Sequence, residues 1–208
     1  MYHTVSTADH ILDAAEMLIC RDSIDDISVR RISDIAGVSA SAISYHFGSR
    51  DELLIEAIRV VYRRFNAERL LLLQTAIDRM TPAPADLHEV ITALVGPSVR
   101  WSLDPQSSYR AFTNLTFLAQ RSDDTLGTPR RRSEYIRPFI SPLQRIAPWL
   151  SDGEVGFRVH AALGIRSAVI RDRARLAALT KSAFKLDDAQ QVIGLMISVI
   201  APMFAEKS

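Results

Sequence analysis

Two short helix-forming runs meet at Gly37-Val38-Ser39, and both are punctuated in the same way. Ser28 precedes Val29 as an N-cap, with Ile27 and Ile32 at the N′ and N4 positions of a hydrophobic staple. Ser39 precedes Ala40 as a second N-cap, with Val38 and Ile43 in the same register. Three residues between two helices, the first of them glycine, is the connection of a helix-turn-helix. The spacing predicts one helix over residues 29–36, burying Val29, Ile32 and Ile35, and another from Ala40 that ends at Gly48, where a left-handed residue is commonly required. A helix over about 6–21 precedes them, with Ile11, Ala15, Leu18 and Ile19 on one buried stripe. A fourth opens at Ser49 with Glu52 in capping-box register and runs through Leu53, Leu54, Ala57, Val61 and Phe65 toward Arg79. At ~1.5 Å per residue it is on the order of 45 Å long, enough to connect two domains.

The second of the short runs is unusually polar. At roughly 100° per residue, Ala40, Ile43 and Phe47 fall on one side, while Ser41 and Tyr45 lie opposite, flanked by Ala42 and Ser44. A helix with so small an outer face can enter a major groove about 12 Å wide. Ser41 and Ser44 can bond base edges or phosphates, and Ala42 can touch a thymine methyl. Tyr45 and His46, near the helix end, suit backbone phosphates, and Arg50 with the first amides of the fourth helix adds charge and donors beside them. Geometry alone leaves another reading open, because any small helical bundle can hold a short helix after a glycine turn.

Four separated blocks narrow the choice: Ile11-Leu12-Asp13-Ala14-Ala15, Ser28-Val29-Arg30-Arg31-Ile32, Ala36-Gly37-Val38-Ser39 and the run from Tyr45-His46-Phe47-Gly48 to Leu54. In order and spacing they resemble the DNA-binding domain of the tetracycline-repressor (TetR) family, over roughly the first 60 residues. The resemblance implies a homodimeric, ligand-responsive transcriptional repressor with a helical regulatory domain. It implies DNA-contact roles for Arg30, Ser39, Ser41, Ser44, Tyr45, His46 and Arg50, with Ala40 and Ala42 in the same face. Two positions depart from the pattern. Many members carry a basic residue where this chain has Ala40, which removes one phosphate contact. Members often place glycine where this chain has Ser23, so the loop after the first helix is expected to run differently, the left-handed conformation costing Ser about 1 kcal/mol.

Charge is distributed against a generic DNA binder. The whole chain carries a formal +1, but up to Arg64 seven arginines face ten acidic residues, a net of −3. Within residues 28–50, Arg30, Arg31 and Arg50 face only Asp34, so the proposed face is locally positive at +2. Phosphate neutralisation supplies most non-specific affinity, so weak non-specific binding and reliance on a specific palindrome are expected.

Strand signals are nearly absent and no repeat is visible, so the chain is expected to be all-α. Thr81-Pro82-Ala83-Pro84 marks a boundary and residues 121–132 an exposed loop, which divides the chain into a DNA-binding domain (1–50), a connecting helix (51–80) and a helical ligand-binding and dimerisation domain (81–208). Helices are predicted near 86–103, 107–120, 133–150, 154–179 and 187–204. The last has no wide polar face, so it is expected to be covered by its own domain and by the last two helices of a second copy, with Gly164 and Gly194 permitting close approach. Burial wholly within one monomer is the other reading. Arg158, Arg166, Arg171, Arg173 and Arg175 are expected on a solvated face or interface rim. Eight aromatic residues, Trp101, Tyr109, Phe112, Phe117, Tyr135, Phe139, Trp149 and Phe157, lie between Arg100 and Arg158. Each is either core or pocket lining. The expected ligand contacts are Trp101, Arg110, Phe112, Asn114, Phe117, Tyr135, Phe139 and His160, suiting an apolar or aromatic small molecule, in a cavity that Pro138, Pro142 and Pro148 open by interrupting their helix.

Enzymatic classes find no support. The five histidines are scattered, no zinc-ligand spacing occurs, and no phosphate-cradling loop, nucleophile elbow or dinucleotide fingerprint is present, so no metal or cofactor is expected. A single cysteine, Cys20, reads as a packed thiol, and the N-terminus lacks the pattern of a secretory signal, which points to the cytoplasm. The expectation is a two-domain helical regulator that binds a pseudo-palindromic operator as a homodimer and is released by a ligand. A small-molecule-binding or enzymatic helical protein whose N-terminal bundle mediates protein contacts is the alternative.

Overall fold

The computed structural model describes residues 6–104, 106–107 and 133–206. Among the described residues there are nine α-helices, three short 3-10 segments and no strand. They form two compact units that divide between Arg64 and Phe65, inside one continuous helix.

In the first unit α1 (Thr7–Arg21) starts at Ser6, whose hydroxyl accepts the Asp9 N–H while the Asp9 carboxylate answers the Ser6 N–H, a complete capping box. A 3-10 turn (Ile24–Asp26) leads to α2 (Val29–Ala36), capped by Ser28, and α3 (Ala40–Phe47), capped by Ser39. Between α2 and α3, Gly37 takes the left-handed conformation (φ 67°, ψ 32°), which brings the Val38 N–H back to the Ser33 carbonyl at 3.1 Å. The helix-turn-helix therefore has the bounds that its caps predict. α4 (Arg50–Met80) follows, and its apolar stripe Leu53, Leu54, Ala57, Val61 and Phe65 is at most 1% exposed. Ile27 and Ile32 of the first staple are both buried; of the second, Ile43 is buried and Val38 half-buried.

Packing corrects several expectations here. Ile35 is 44% exposed, and Ser33 is buried in its place with its hydroxyl on the Val29 carbonyl at 2.9 Å. At roughly 100° per residue Ile35 stands about 160° around the helix from Ser33, so the face that buries Ser33 turns Ile35 outward. Val29 and Phe47 are half-buried rather than buried, Ala40 is exposed, and Cys20 is half-buried rather than a core thiol. Ser23 avoids the left-handed region altogether. It is extended (φ −68°, ψ 145°) and leads into the 3-10 turn.

The second unit contains the rest of α4, α5 (Leu87–Leu103), a 3-10 segment (Arg137–Phe139), α6 (Ile140–Ile146), α7 (Asp152–Arg171), α8 (Arg173–Leu179), α9 (Ala189–Ile200) and a final 3-10 turn (Ala201–Phe204). α5 lies at its centre, packed against α6, α7 and α9. Val90, Ile91, Leu94, Phe139, Val155, Ile193 and Met196 are among the side chains of its core. Three predicted helices are broken where the chain loses a donor or gains a cap. The helix expected over 133–150 is confined to the seven residues of α6: Pro138 stands in the 3-10 segment before it, and the pre-proline residue Ala147 (φ −124°, ψ 68°) leaves the α region ahead of Pro148. The one expected over 154–179 splits at Asp172 (φ −130°, ψ 62°), whose carboxylate caps α8 through the Arg175 N–H at 3.0 Å. The last starts at the Asp188 cap and tightens into 3-10 at Pro202. Of the five arginines expected at a rim, Arg158, Arg166 and Arg173 are half-buried and donate within the unit, to the Met203 carbonyl, to Ser98 and Ser167, and to Ser102. The helix predicted over 107–120 lies outside the described residues except for Ser107, and the loop 121–132 lies wholly outside them.

Candidate nucleic-acid interface

α3 is fixed by one side chain and presents the others. Ile43 is 1% exposed, whereas Ser39, Ala40, Ser41, Ser44 and His46 are exposed, Ala42 is half-buried and Tyr45 is 85% exposed. A large aromatic ring left that bare is the least expected feature of the unit's surface, since its burial would be worth roughly 2 kcal/mol. It meets the His46 ring edge-on, centroids 5.0 Å apart. The Ser39 and Ser41 hydroxyls are 2.8 Å apart, and the Ser39 oxygen also accepts the Ala42 N–H at 3.3 Å. The cap of α3 thus holds a neighbouring hydroxyl on the outer face. The hydroxyls offer donors and acceptors without long aliphatic stems to keep the helix axis at a distance.

The cations are arranged differently from the sequence expectation. Arg30 is exposed and has no partner among the described residues. Arg31 pairs with Asp22 at 2.8 Å and donates to the Asp26 carbonyl at 3.0 Å. Arg50, expected to face a phosphate, turns into the unit instead: Nε donates to the Ile27 carbonyl, Nη2 to the Ile24 carbonyl and Nη1 to the Asp51 carboxylate at 2.7 Å. No spacing rule links Arg50 to carbonyls 23 and 26 residues away, so only the folded loop reveals the arrangement. Glu52, expected in capping-box register with Ser49, completes half of the box: its N–H donates to the Ser49 hydroxyl at 3.2 Å, while the Ser49 N–H goes to the Phe47 carbonyl instead. The Glu52 carboxylate accepts the Ser49 hydroxyl at 3.0 Å and lies over Gly48.

The expected ligand contacts are not brought together among the described residues. Arg110, Phe112, Asn114 and Phe117, with the aromatic Tyr109, lie outside them. Phe139 is fully buried in the core of the second unit, so it is a packing residue. Trp101 is held from both sides, its Nε1 donating to Glu68 at 2.8 Å and its ring edge-on to Phe65 at 5.2 Å. Tyr135 is half-buried, and His160 is exposed on α7. The narrow crevice between α5, α7, α8 and α9, lined by Val99, Leu103, Ile170, Arg173 and Leu176, has room for about 10 Å³, no more than a water molecule. It includes none of the predicted ligand residues. No described helix is long and apolar enough to cross a membrane, and the described residues hold no cluster of His, Cys, Asp and Glu that could bind a metal ion.

A helix-turn-helix whose second helix shows a bare, hydroxyl-rich face, followed by a helical unit with its own core, defines a class of helix-turn-helix regulatory proteins. Comparison with known proteins makes the class specific. Residues 11–57 match the model of bacterial regulatory proteins of the tetR family, and residues 92–203 match the tetracyclin repressor-like C-terminal domain. The chain belongs to the TetR family, a family of DNA-binding regulators rather than enzymes. The HTH-type transcriptional regulator BetI of Brucella anthropi is 30% identical over 115 residues, a match spanning 55% of this chain and 55% of that protein, so the chain spans about half the length of this curated relative. Among solved structures, the multidrug binding protein EbrR complexed with imidazole shares the fold with a TM-score of 0.62 at 18% identity, covering 98% of this chain and 97% of that one. The fatty acid degradation regulator FadR from Bacillus halodurans does so with a TM-score of 0.57 at 16% identity, covering 98% and 97%.

Proposed function

We propose that this chain is a cytoplasmic, homodimeric repressor that places α3 of each protomer in successive major grooves of a pseudo-palindromic operator and leaves it when a small organic effector binds the second unit. The observation that carries the reading is the outer face of α3: Tyr45 at 85% exposure beside Ser39, Ser41 and Ser44, all held out by a buried Ile43. Ser41 and Ser44 reach base edges, Tyr45 and His46 bond phosphates, and Arg30 supplies the cation.

The dimer is supported by the faces that α7 and α9 leave bare. Phe157 is 74% and Val199 57% exposed, with Gly164, Ala168, Gly194 and Ser198 exposed on the same two helices. Small residues on both helices allow two copies to close into a four-helix bundle. Two recognition helices then stand about 34 Å apart, one turn of the duplex. Release requires an effector that binds more tightly to a dimer geometry with a different spacing. EbrR, solved in complex with imidazole and with malachite green, has the same fold, which supports an aromatic or largely apolar effector here.

The test is selection of bound duplexes from a randomised pool, followed by a screen of small molecules for release of the selected duplex. The reading expects an inverted repeat to be enriched, and a minority of apolar or aromatic compounds to release it. Enrichment of no sequence over the starting pool would overturn it.

A further inference from the structure

We propose that Arg50 is a positioning residue for DNA binding, a clamp that fixes the α1–α2 loop against the start of α4, and not a contact to phosphate; this rests on the reading that α3 enters a duplex. The loop needs such a clamp. Ser23 is extended, so no left-handed residue turns the loop, and the three-residue 3-10 turn that follows is closed at its end only by a long bond of 3.4 Å from the Ile27 N–H to the Ile24 carbonyl, with the Ile27 carbonyl lying just past it. Arg50 meets both, Nη2 on Ile24 and Nε on Ile27, while Arg31 takes the intervening Asp26 carbonyl. A guanidinium is a planar fork that spans two such acceptors at once, which a lysine ammonium cannot do.

Position makes the clamp matter for α3. Arg50 is the first residue of α4 and stands two residues beyond Gly48, where α3 ends. The same side chain therefore fixes the exit of α3 and the loop that leads into α2, so both helices of the helix-turn-helix are referred to one anchor. Three of the five N–H donors of Arg50 are taken by the two carbonyls and the Asp51 carboxylate, so the loop holds most of the fork that a phosphate would otherwise engage.

Two variants, Arg50→Lys and Arg50→Gln, distinguish the roles, measured on a duplex selected by the wild-type chain and at a temperature far below each variant's melting point. The clamp predicts that both variants bind roughly tenfold or more weakly, that the slope of log affinity against log salt stays at the wild-type value, and that amides of residues 23–28 exchange faster in the free protein. A phosphate contact predicts near wild-type binding for Arg50→Lys and a slope reduced by about 1.8 for Arg50→Gln, about 0.9 for each protomer, with loop exchange unchanged; that result overturns the clamp. Faster exchange with undiminished affinity leaves Arg50 a merely structural residue and overturns the positioning role. Should the wild-type chain select no duplex, the DNA reading and the positioning role fail together, while loop exchange in the free variants still decides whether the clamp exists.

Discussion

Gly48 holds φ 77° and ψ −67°, and the Ser49 N–H reaches across it to the Phe47 carbonyl at 2.9 Å, a γ-turn of the rare and strained kind. A Cβ built there would meet only the movable end of the exposed Glu52 side chain, and one at Gly37 nothing within 4 Å, so the difference between the two lies in the backbone. Gly37→Ala is therefore expected to cost about 1 kcal/mol from conformation alone, and Gly48→Ala more, roughly 2–3 kcal/mol. Urea denaturation of both variants checks the order, and equal losses would contradict the geometry at Gly48. Tyr45 makes the opposite prediction. At 85% exposure its replacement by alanine should leave stability within about 0.5 kcal/mol of wild type while weakening operator binding. A large drop in melting temperature would show that the ring packs against the protein.

Among the elements, those with local punctuation were legible in the sequence. Ser28, Ser39 and Gly37 act on backbone groups within a few residues, and α2 and α3 start and stop where those residues require. The face an eight-residue helix buries was not legible, as Ile35 and Ala40 show, because its neighbours in the fold choose that face. Nor was the break at Asp172, since an aspartate inside a helical run reads equally well as a solvated residue until its carboxylate is seen on the Arg175 amide. The candidate site divides the same way. The hydroxyl face of α3 follows from helical periodicity, but Arg50 and Arg31 do not, because their carbonyl partners lie elsewhere in the chain. At this scale α7 and α9 supply a paired prediction. Phe157→Asp and Val199→Asp should shift the protein from dimer to monomer in sedimentation equilibrium with little loss of monomer stability. Ile193→Ala, in the core, should instead lower stability by about 2–5 kcal/mol. A wild-type chain that sediments as a monomer at micromolar concentration would contradict the bundle.

For the molecule as a whole, electrostatics sets how DNA is found. Up to Arg64 the net charge is −3, and five of the seven arginines there, Arg31, Arg50, Arg59, Arg63 and Arg64, hold ion pairs with neighbouring carboxylates. Little positive charge is left to neutralise phosphates, so affinity for random duplex should be low and the salt dependence shallow, each phosphate contact adding a slope of only about 0.9. The claim on which the rest depends is that the outer face of α3 reads DNA. Its most direct test is the affinity of the chain carrying both Ser41→Asp and Tyr45→Asp for a duplex the wild type selects, with the melting temperature of each protein measured alongside. The account predicts that binding is lost while the melting temperature holds. Undiminished binding by the doubly substituted chain would contradict it.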